Sequence, residues 1–298
     1  MGWRIIYIEE SDNISLHLDN IKVKSGVSEL LIPLIDINAL IIDNYKTTVT
    51  LNLLNKCLEY NVNVIICDHQ HHPQGLVLPI SGHYLSPIIF QKQMQWKDEQ
   101  KSLLWRRIVK NKIFGQTLVL YELGKDQEVI DKMLAFSNEI VGNDDGNREG
   151  LCAKMYFREL FGKDFYRDKE CVINAGLDYG YSIFRSLISK VIVSKGLHPN
   201  LGIFHKGTSN YFNLSDDIIE VFRPIVDLYV YNNLLDQQIF KKDHRLELIR
   251  LTTYKILYKN KKQTIFNVIE DYVDSIIAFF DKGDVSRITC ITPVLYDL

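Results

Sequence analysis

The chain has 298 residues, of which 46% are hydrophobic and 24% charged, with a formal net charge of −2. That length allows one or two domains with a sizeable core, and the near-neutral balance excludes a globally basic nucleic-acid binder. Charge is uneven: residues 1–100 carry a net of −4 and the rest a net of +2, so a phosphate-facing surface is expected only as a local patch in the second part. Five cysteines (Cys57, Cys67, Cys152, Cys171 and Cys290), none at C-x-x-C spacing, argue against a disulfide framework or zinc ribbon and for a reducing compartment. No apolar run reaches about 18 residues and no basic n-region precedes an apolar core, so neither a membrane span nor a signal peptide is expected and the chain reads as cytoplasmic.

In chain order, Trp3 to Glu9, Asn13 to Leu18 and Ile21 to Lys24 read as strands, being short, β-branched and separated by polar breaks. Ala39 to Ile42 and Val62 to Cys67 are apolar runs of strand length. Between them Leu51, Leu54 and Leu58 recur at helical spacing after Thr47-Thr48, a cap signal. Leu76 to Ile80 reads as a last strand. Ser86-Pro87 then offers an N-cap with proline at the first helical position. From there the pattern is helical almost to the end, with Ile183 to Val193 and Leu246 to Tyr258 as helix cores. The expected fold is α+β: a small β-rich N-terminal domain over 1–86, followed by a larger all-α domain over 87–298.

Three segments carry candidate chemistry. Glu149 sits in Asn147-Arg148-Glu149-Gly150, His205 in Leu201-Gly202-Ile203-Phe204-His205-Lys206-Gly207, and Glu220 in Asp216-Asp217-Ile218-Ile219-Glu220-Val221-Phe222-Arg223-Pro224. Two carboxylates and one imidazole suit a hard divalent ion, with Mg²⁺ or Mn²⁺ favoured by the oxygens and Mn²⁺ by the imidazole. Each residue also has a plain structural reading. Glu149 is a first-turn acid complementing a helix dipole, and a lone His among apolar residues is usually a satisfied structural group. Asp216 or Asp217 is an ordinary N-cap, or Asp217, three residues before Glu220, is a second carboxylate on the same face. Gly202 and Gly207 would let backbone approach a phosphate closely.

Taken together and in order, these segments resemble the CRISPR-associated integrase family, the metal-dependent DNA endonucleases that insert new spacers into a CRISPR array. Trp105 to Ile113 followed by Gln116 is similar to the family's first long helix, and Asn147 to Phe161 to the helix bearing its first carboxylate. Leu177 to Ser182 is similar to the helix start before its histidine, Gly196 to Gly202 to the lead into that histidine, and Asp216 to Pro224 to the segment of its last carboxylate. The pattern is most similar to the type II branch. The resemblance implies Glu149, His205 and Glu220 as catalytic metal ligands for Mg²⁺ or Mn²⁺. The implied partners are double-stranded DNA with 3′-hydroxyl ends and CRISPR repeat DNA. A homodimer through the β-rich domain is implied too, as is a hetero-hexamer with the small second adaptation protein. In type II systems the effector nuclease and a ring-shaped DNA-end-binding protein would join. The alternatives are a catalytically silent DNA-binding scaffold and a metal-dependent nuclease without integration.

Elsewhere, Asp68 to Pro73 holds His69, His71 and His72 but no further ligand at zinc-finger spacing, so a polar turn is the expected reading. Arg106, Arg107, Lys110 and Lys112 on the Trp105 helix, and a later group from Lys241 to Lys262, are candidate phosphate contacts. Tyr156, Tyr179, Tyr181 and Tyr211 are candidates for base stacking or for core packing. The tail from Asp284 to Leu298 either docks on a partner or frays. No G-x-x-x-x-G-K-[ST] or G-x-G-x-x-G pattern supports nucleotide-cofactor use.

Overall fold

The computed structural model describes residues 4–80 and 82–296. The chain divides into two compact units, Met1–Tyr84 and Leu85–Leu298.

In the first unit β1 (Arg4–Ile8) is followed by β2 (Asn13–His17), β3 (Asn20–Ser25), β4 (Ser28–Pro33) and β5 (Ile37–Ile42). Then come β6 (Thr48–Val49), α1 (Leu51–Glu59), β7 (Asn63–Cys67) and β8 (Pro73–Val77). One sheet has the order β1-β5-β7-β8, parallel except for the antiparallel β7–β8 pair. Its central strand β5, Ile-Asn-Ala-Leu-Ile-Ile, is buried throughout, as the near-continuous apolar run of a strand covered on both faces requires. The other sheet has the order β4-β3-β2-β6. Ile14, Ile21, Leu34, Leu40, Leu53, Cys57 and Val64 form the core between the sheets and α1. The cap of α1 is Thr50, whose hydroxyl accepts from Leu53 N–H; of the expected pair, Thr47 instead donates to Ser11 O and Thr48 starts β6. The histidine-rich segment is a closed polar turn: the Asp68 carboxylate accepts from Gln70 and His72 N–H, and His71, at φ +66°, contacts Asp43 at 2.9 Å.

The second unit is helical. It runs through α2 (Ser86–Met94), α3 (Asp98–Glu122), α4 (Gln127–Asn138), α5 (Arg148–Phe161), α6 (Val172–Ser194) and α7 (Asn213–Ile219). It continues through α8 (Arg223–Leu234), α9 (Lys242–Arg250), β9 (Lys255–Tyr258), β10 (Lys261–Thr264), α10 (Ile265–Lys282) and β11 (Leu295–Tyr296). The long α3 packs on α4, α5 and α8, while α6 packs on α7, α8, α9 and α10.

Three expectations change here. The helix expected over Leu246 to Tyr258 stops at Arg250, and β9 pairs with β10 across Lys259-Asn260, both at positive φ (+49° and +61°). That two-residue loop is the primed turn that antiparallel strands prefer, so the helical unit carries a small sheet. Leu177 to Ser182 lies inside α6, which starts at Val172. The described part of the tail docks on its own unit: Arg107 Nε donates to Ile288 O, Cys290 Sγ lies 2.8 Å from Asn111 Oδ1, and β11 pairs with β9. Among the described residues no helix is long and apolar enough to cross a membrane.

Candidate active site

Glu149 enters through a loop that bends sharply just before α5. Asp144 and Asn147 both have positive φ (+70° and +48°), a region tolerated by Asn and Asp more than by other side-chain-bearing residues. Asn147 makes no side-chain cap; the Asp144 carboxylate does so from outside, accepting from Arg148 N–H at 2.9 Å and Glu149 N–H at 2.8 Å. Gly150 lets the Asn147 side chain fold close over the start of α5, where a Cβ would lie 2.5 Å from Asn147 Oδ1 and push that amide aside. The Glu149 side chain then accepts a hydrogen bond from Lys112 Nζ.

Glu220 sits where α7 gives way to α8, and it is buried. One oxygen accepts from Arg223 Nε at 2.9 Å. The other, Oε2, is buried, lies 2.5 Å from Lys112 Nζ and accepts no well-directed hydrogen bond. Lys112 therefore stands between the two carboxylates, with 9% of its side chain exposed. Close packing of α3 on α8 brings it there: a Cβ on Gly115 would meet Pro224 Cγ at 3.0 Å. Burial pushes the Glu220 carboxyl up, but the Lys112 and Arg223 cations more than reverse this and hold it at about 2. Burial likewise lowers the Lys112 ammonium, and Glu220 and Glu149 outweigh it, leaving the group raised.

His205 is fixed by Asp217, whose side chain is fully buried. The Asp217 carboxylate accepts from the backbone N–H groups of Ile203 (2.5 Å), Phe204 (3.1 Å) and His205 (3.0 Å), and lies 2.8 Å from His205 Nδ1. The hydrogen bond to Asp217 raises the imidazole pKa against the effect of burial. Gly202 makes this turn possible, because a Cβ there would sit 2.3 Å from His205 O and 2.9 Å from Asp217 Oδ2. Trp105 of α3 stacks on Phe204 at 4.3 Å and meets His205 edge-on at 5.8 Å. Beside the histidine lies a cavity of about 380 Å³ lined by Asp98, Lys101, Asn143, Ile203, Phe204 and Lys206.

The family model for CRISPR associated protein Cas1 matches residues 6–267. The chain belongs to the Cas1 family. It is 32% identical over 279 residues to the CRISPR-associated endonuclease Cas1 of Neisseria meningitidis serogroup C (strain 8013), covering 92% of this chain and 91% of that protein. Among solved structures, a casposase bound to integration product aligns with a TM-score of 0.77 at 20% identity, over 95% of this chain and 92% of that one. A Cas6-RT-Cas1–Cas2 complex aligns with a TM-score of 0.73 at 18% identity, over 97% of this chain and 36% of that one. At such identities these structures speak for the fold alone, and the α+β arrangement of a β-rich region followed by a helical one is the Cas1 fold.

Within this Cas1 fold the three sequence-derived candidates are not equally placed. Glu149 and Glu220 converge on one point, the Lys112 ammonium. His205 is held apart by Asp217 and Trp105, and among the described residues no three His, Cys, Asp or Glu side chains gather as a metal ion would need. The donor chemistry still suits a hard divalent ion: two carboxylates already share one cation, and a buried Glu220 oxygen lacks a well-directed hydrogen bond. On His205, Asp217 engages Nδ1 and leaves Nε2 as the donor atom, the usual arrangement of a metal-binding imidazole backed by a carboxylate.

Several site residues escape the sequence. Lys112 groups there with Arg106, Arg107 and Lys110, yet only those three line a shared surface cavity of about 210 Å³. The signal is available: Lys112 follows Trp105, Ile108 and Val109 at helical spacing, and all four are buried. Asp144 and Arg223 carry no comparable signal. Asp217 proves to be an anchor for the histidine turn. Of the candidate stacking tyrosines, Tyr156, Tyr179 and Tyr181 are core residues, and only Tyr211 is exposed.

Proposed function

We propose that this Cas1-family chain is a divalent-metal-dependent DNA integrase and endonuclease that inserts new spacer DNA into a CRISPR array, as part of prokaryotic antiviral defence. The observation that carries this reading is the convergence of Glu149 and Glu220, from two separate helical segments, on a single buried cation position. Glu149 and Glu220 are the residues to hold Mg²⁺ or Mn²⁺, with His205 as third ligand through Nε2. When bound, such an ion supplies Lewis-acid stabilisation of the oxyanions in an in-line phosphoryl displacement.

The chain's own residues do the remaining work. Asp217 keeps the His205 proton on Nδ1 and fixes the ring. Arg223 and Lys112 place positive charge beside the carboxylates, where a phosphodiester would enter. In strand transfer the 3′-hydroxyl oxygen of the incoming DNA bonds to the repeat phosphorus and the repeat's 3′-oxygen departs with the proton. One phosphodiester replaces another, so no ATP is consumed. Water in place of the hydroxyl turns the same displacement into an endonucleolytic cut.

The proposed partners are double-stranded DNA with 3′-hydroxyl ends, CRISPR repeat DNA, a Cas2-type second subunit and a second copy of this chain. Exposed Leu30 and Leu31 on β4, an edge strand of its sheet, and exposed Ile35 just after it support a homodimer surface on the β-rich unit. A hetero-hexamer of two such dimers around a Cas2-type dimer would hold two active sites at the two ends of one repeat.

The test is strand transfer. The protein and its Cas2-type partner are incubated with a 3′-hydroxyl duplex and a supercoiled plasmid carrying a CRISPR repeat, with Mn²⁺ or with EDTA. Metal-dependent joined product that Glu220→Ala abolishes is the expected result. Cutting without joining points to a plain nuclease, and DNA binding unchanged by Glu220→Ala, without either reaction, points to a scaffold.

A further inference from the structure

Four charged groups meet at the carboxylate pair: Glu149 and Glu220 with Lys112 and Arg223. Their charges sum to zero, and Lys112 and Glu220 are largely removed from water. A divalent ion added to an intact quartet would leave a net charge of +2 in a poorly solvated place, where uncompensated charge is strongly disfavoured. The ammonium also lies against the same oxygen atoms that would ligate the ion, Glu149 Oε1 and Glu220 Oε2. An ion seated between those two oxygens would therefore take the place the ammonium now fills.

We propose that Lys112 is an internal cation that occupies the metal position between Glu149 and Glu220 until DNA arrives, so that metal affinity is set by competition with its ammonium and rises when a DNA phosphate enters. The proposal rests on the reading of Glu149 and Glu220 as ligands. A phosphodiester beside the pair supplies negative charge that offsets the incoming ion. It also gives the displaced ammonium a new acceptor, in the charge-assisted geometry that lysine makes with phosphates. Metal and DNA thus favour each other's binding, and by linkage the effect is reciprocal. Without DNA the carboxylates stay neutralised by a side chain of the protein itself.

The experiment measures Mn²⁺ affinity of the full chain by calorimetry and by the electron-paramagnetic signal of free Mn²⁺. Wild type, Lys112→Met, Lys112→Gln and Glu149→Gln are compared, each with and without a 3′-hydroxyl DNA duplex, and circular dichroism checks folding. Without DNA, both Lys112 variants should bind Mn²⁺ on the order of tenfold more tightly than wild type. DNA should tighten Mn²⁺ binding by the wild type and do so less in either Lys112 variant. If wild-type binding is weakened by Glu149→Gln but neither Lys112 variant binds more tightly, the competing role is overturned while the ligand reading stands. If Mn²⁺ binding is indifferent to Glu149→Gln, the ligand reading fails and this proposal with it. The wild type alone tests the coupling even where a variant does not fold: DNA that leaves its Mn²⁺ affinity unchanged overturns it.

Discussion

A single carboxylate, Asp217, accepts three backbone N–H groups and faces one imidazole nitrogen. Asn at this position keeps the shape but offers one acceptor oxygen and turns an amide group towards donors. Asp217→Asn should therefore lower unfolding free energy by about 3 kcal/mol, the scale of losing charge-assisted hydrogen bonds, and strand transfer should fall with it. Urea unfolding read alongside the joining assay checks both. In the sequence Asp217 reads equally well as cap or second carboxylate, because spacing to Glu220 cannot reveal a turn folding back from residues 203–205. The carboxylates themselves are legible because their segments carry a family pattern. Lys112 is masked by its basic neighbours, although its place among buried positions on one helix face marks it.

Lys190 shows the same principle without catalysis. It is buried on α6 beneath the Phe266 ring, and burial lowers its ammonium from 10.5 to about 8 against the pull of Glu270. Below pH 8 both the folded and unfolded chains carry the proton, and the desolvation cost is fully felt. Between pH 8 and 10.5 the unfolded chain binds more protons than the folded one, so this group makes stability rise with pH and level off above that window. Lys190→Met should raise stability at pH 7 by about 1–3 kcal/mol and flatten the rise, as read from urea midpoints at pH 7, 9 and 10. A variant no more stable than wild type at pH 7 would refute this.

At the scale of elements, glycine sets how closely helices meet. Gly176 and Gly180 lie one turn apart on α6, and Cβ atoms there would come within 2.3 Å of Leu234 Cδ1 and 2.5 Å of Val226 Cγ1 on α8. Val226 is β-branched and stiff, so α8 would have to move. Gly180→Ala should cost about 1–3 kcal/mol by overpacking. It should also disturb transfer, because α8 opens at Arg223, the partner of Glu220. A thermal melt with no loss for Gly180→Ala would show that the seam is slack. Most elements are readable from period and punctuation: β5 and β7 as apolar runs, α1 and α6 as repeating apolar faces. The β9–β10 hairpin is not, since Leu246, Ile249 and Tyr258 extend a helical rhythm that only the Lys259-Asn260 turn interrupts. The β11 pairing depends on a distant strand, and no local pattern encodes it.

For the whole molecule, a net charge of −2 means that attraction to DNA must come from local patches. Arg106, Arg107 and Lys110 line one cavity that has no acidic residue among its lining. Arg107 is committed to Ile288 O, so Lys110 is the cleaner probe. Lys110→Ala should weaken DNA binding about equally for all sequences and reduce the slope of log affinity against log salt by roughly 1. Binding curves at several salt concentrations, with and without a repeat sequence, decide this; an unchanged slope would place the phosphate path elsewhere.

The stack of Trp105 on Phe204 has a practical consequence. An indole that is 1% exposed and edge-on to His205 emits from an apolar setting beside an imidazole. The chain holds two other tryptophans, Trp3 and Trp96, and replacing both with Phe would leave Trp105 as the one indole, excited apart from the tyrosines at long wavelength and touching the turn that carries the histidine. Its colour and intensity would then report, in real time and without any label, each rearrangement of that turn as ions or DNA arrive.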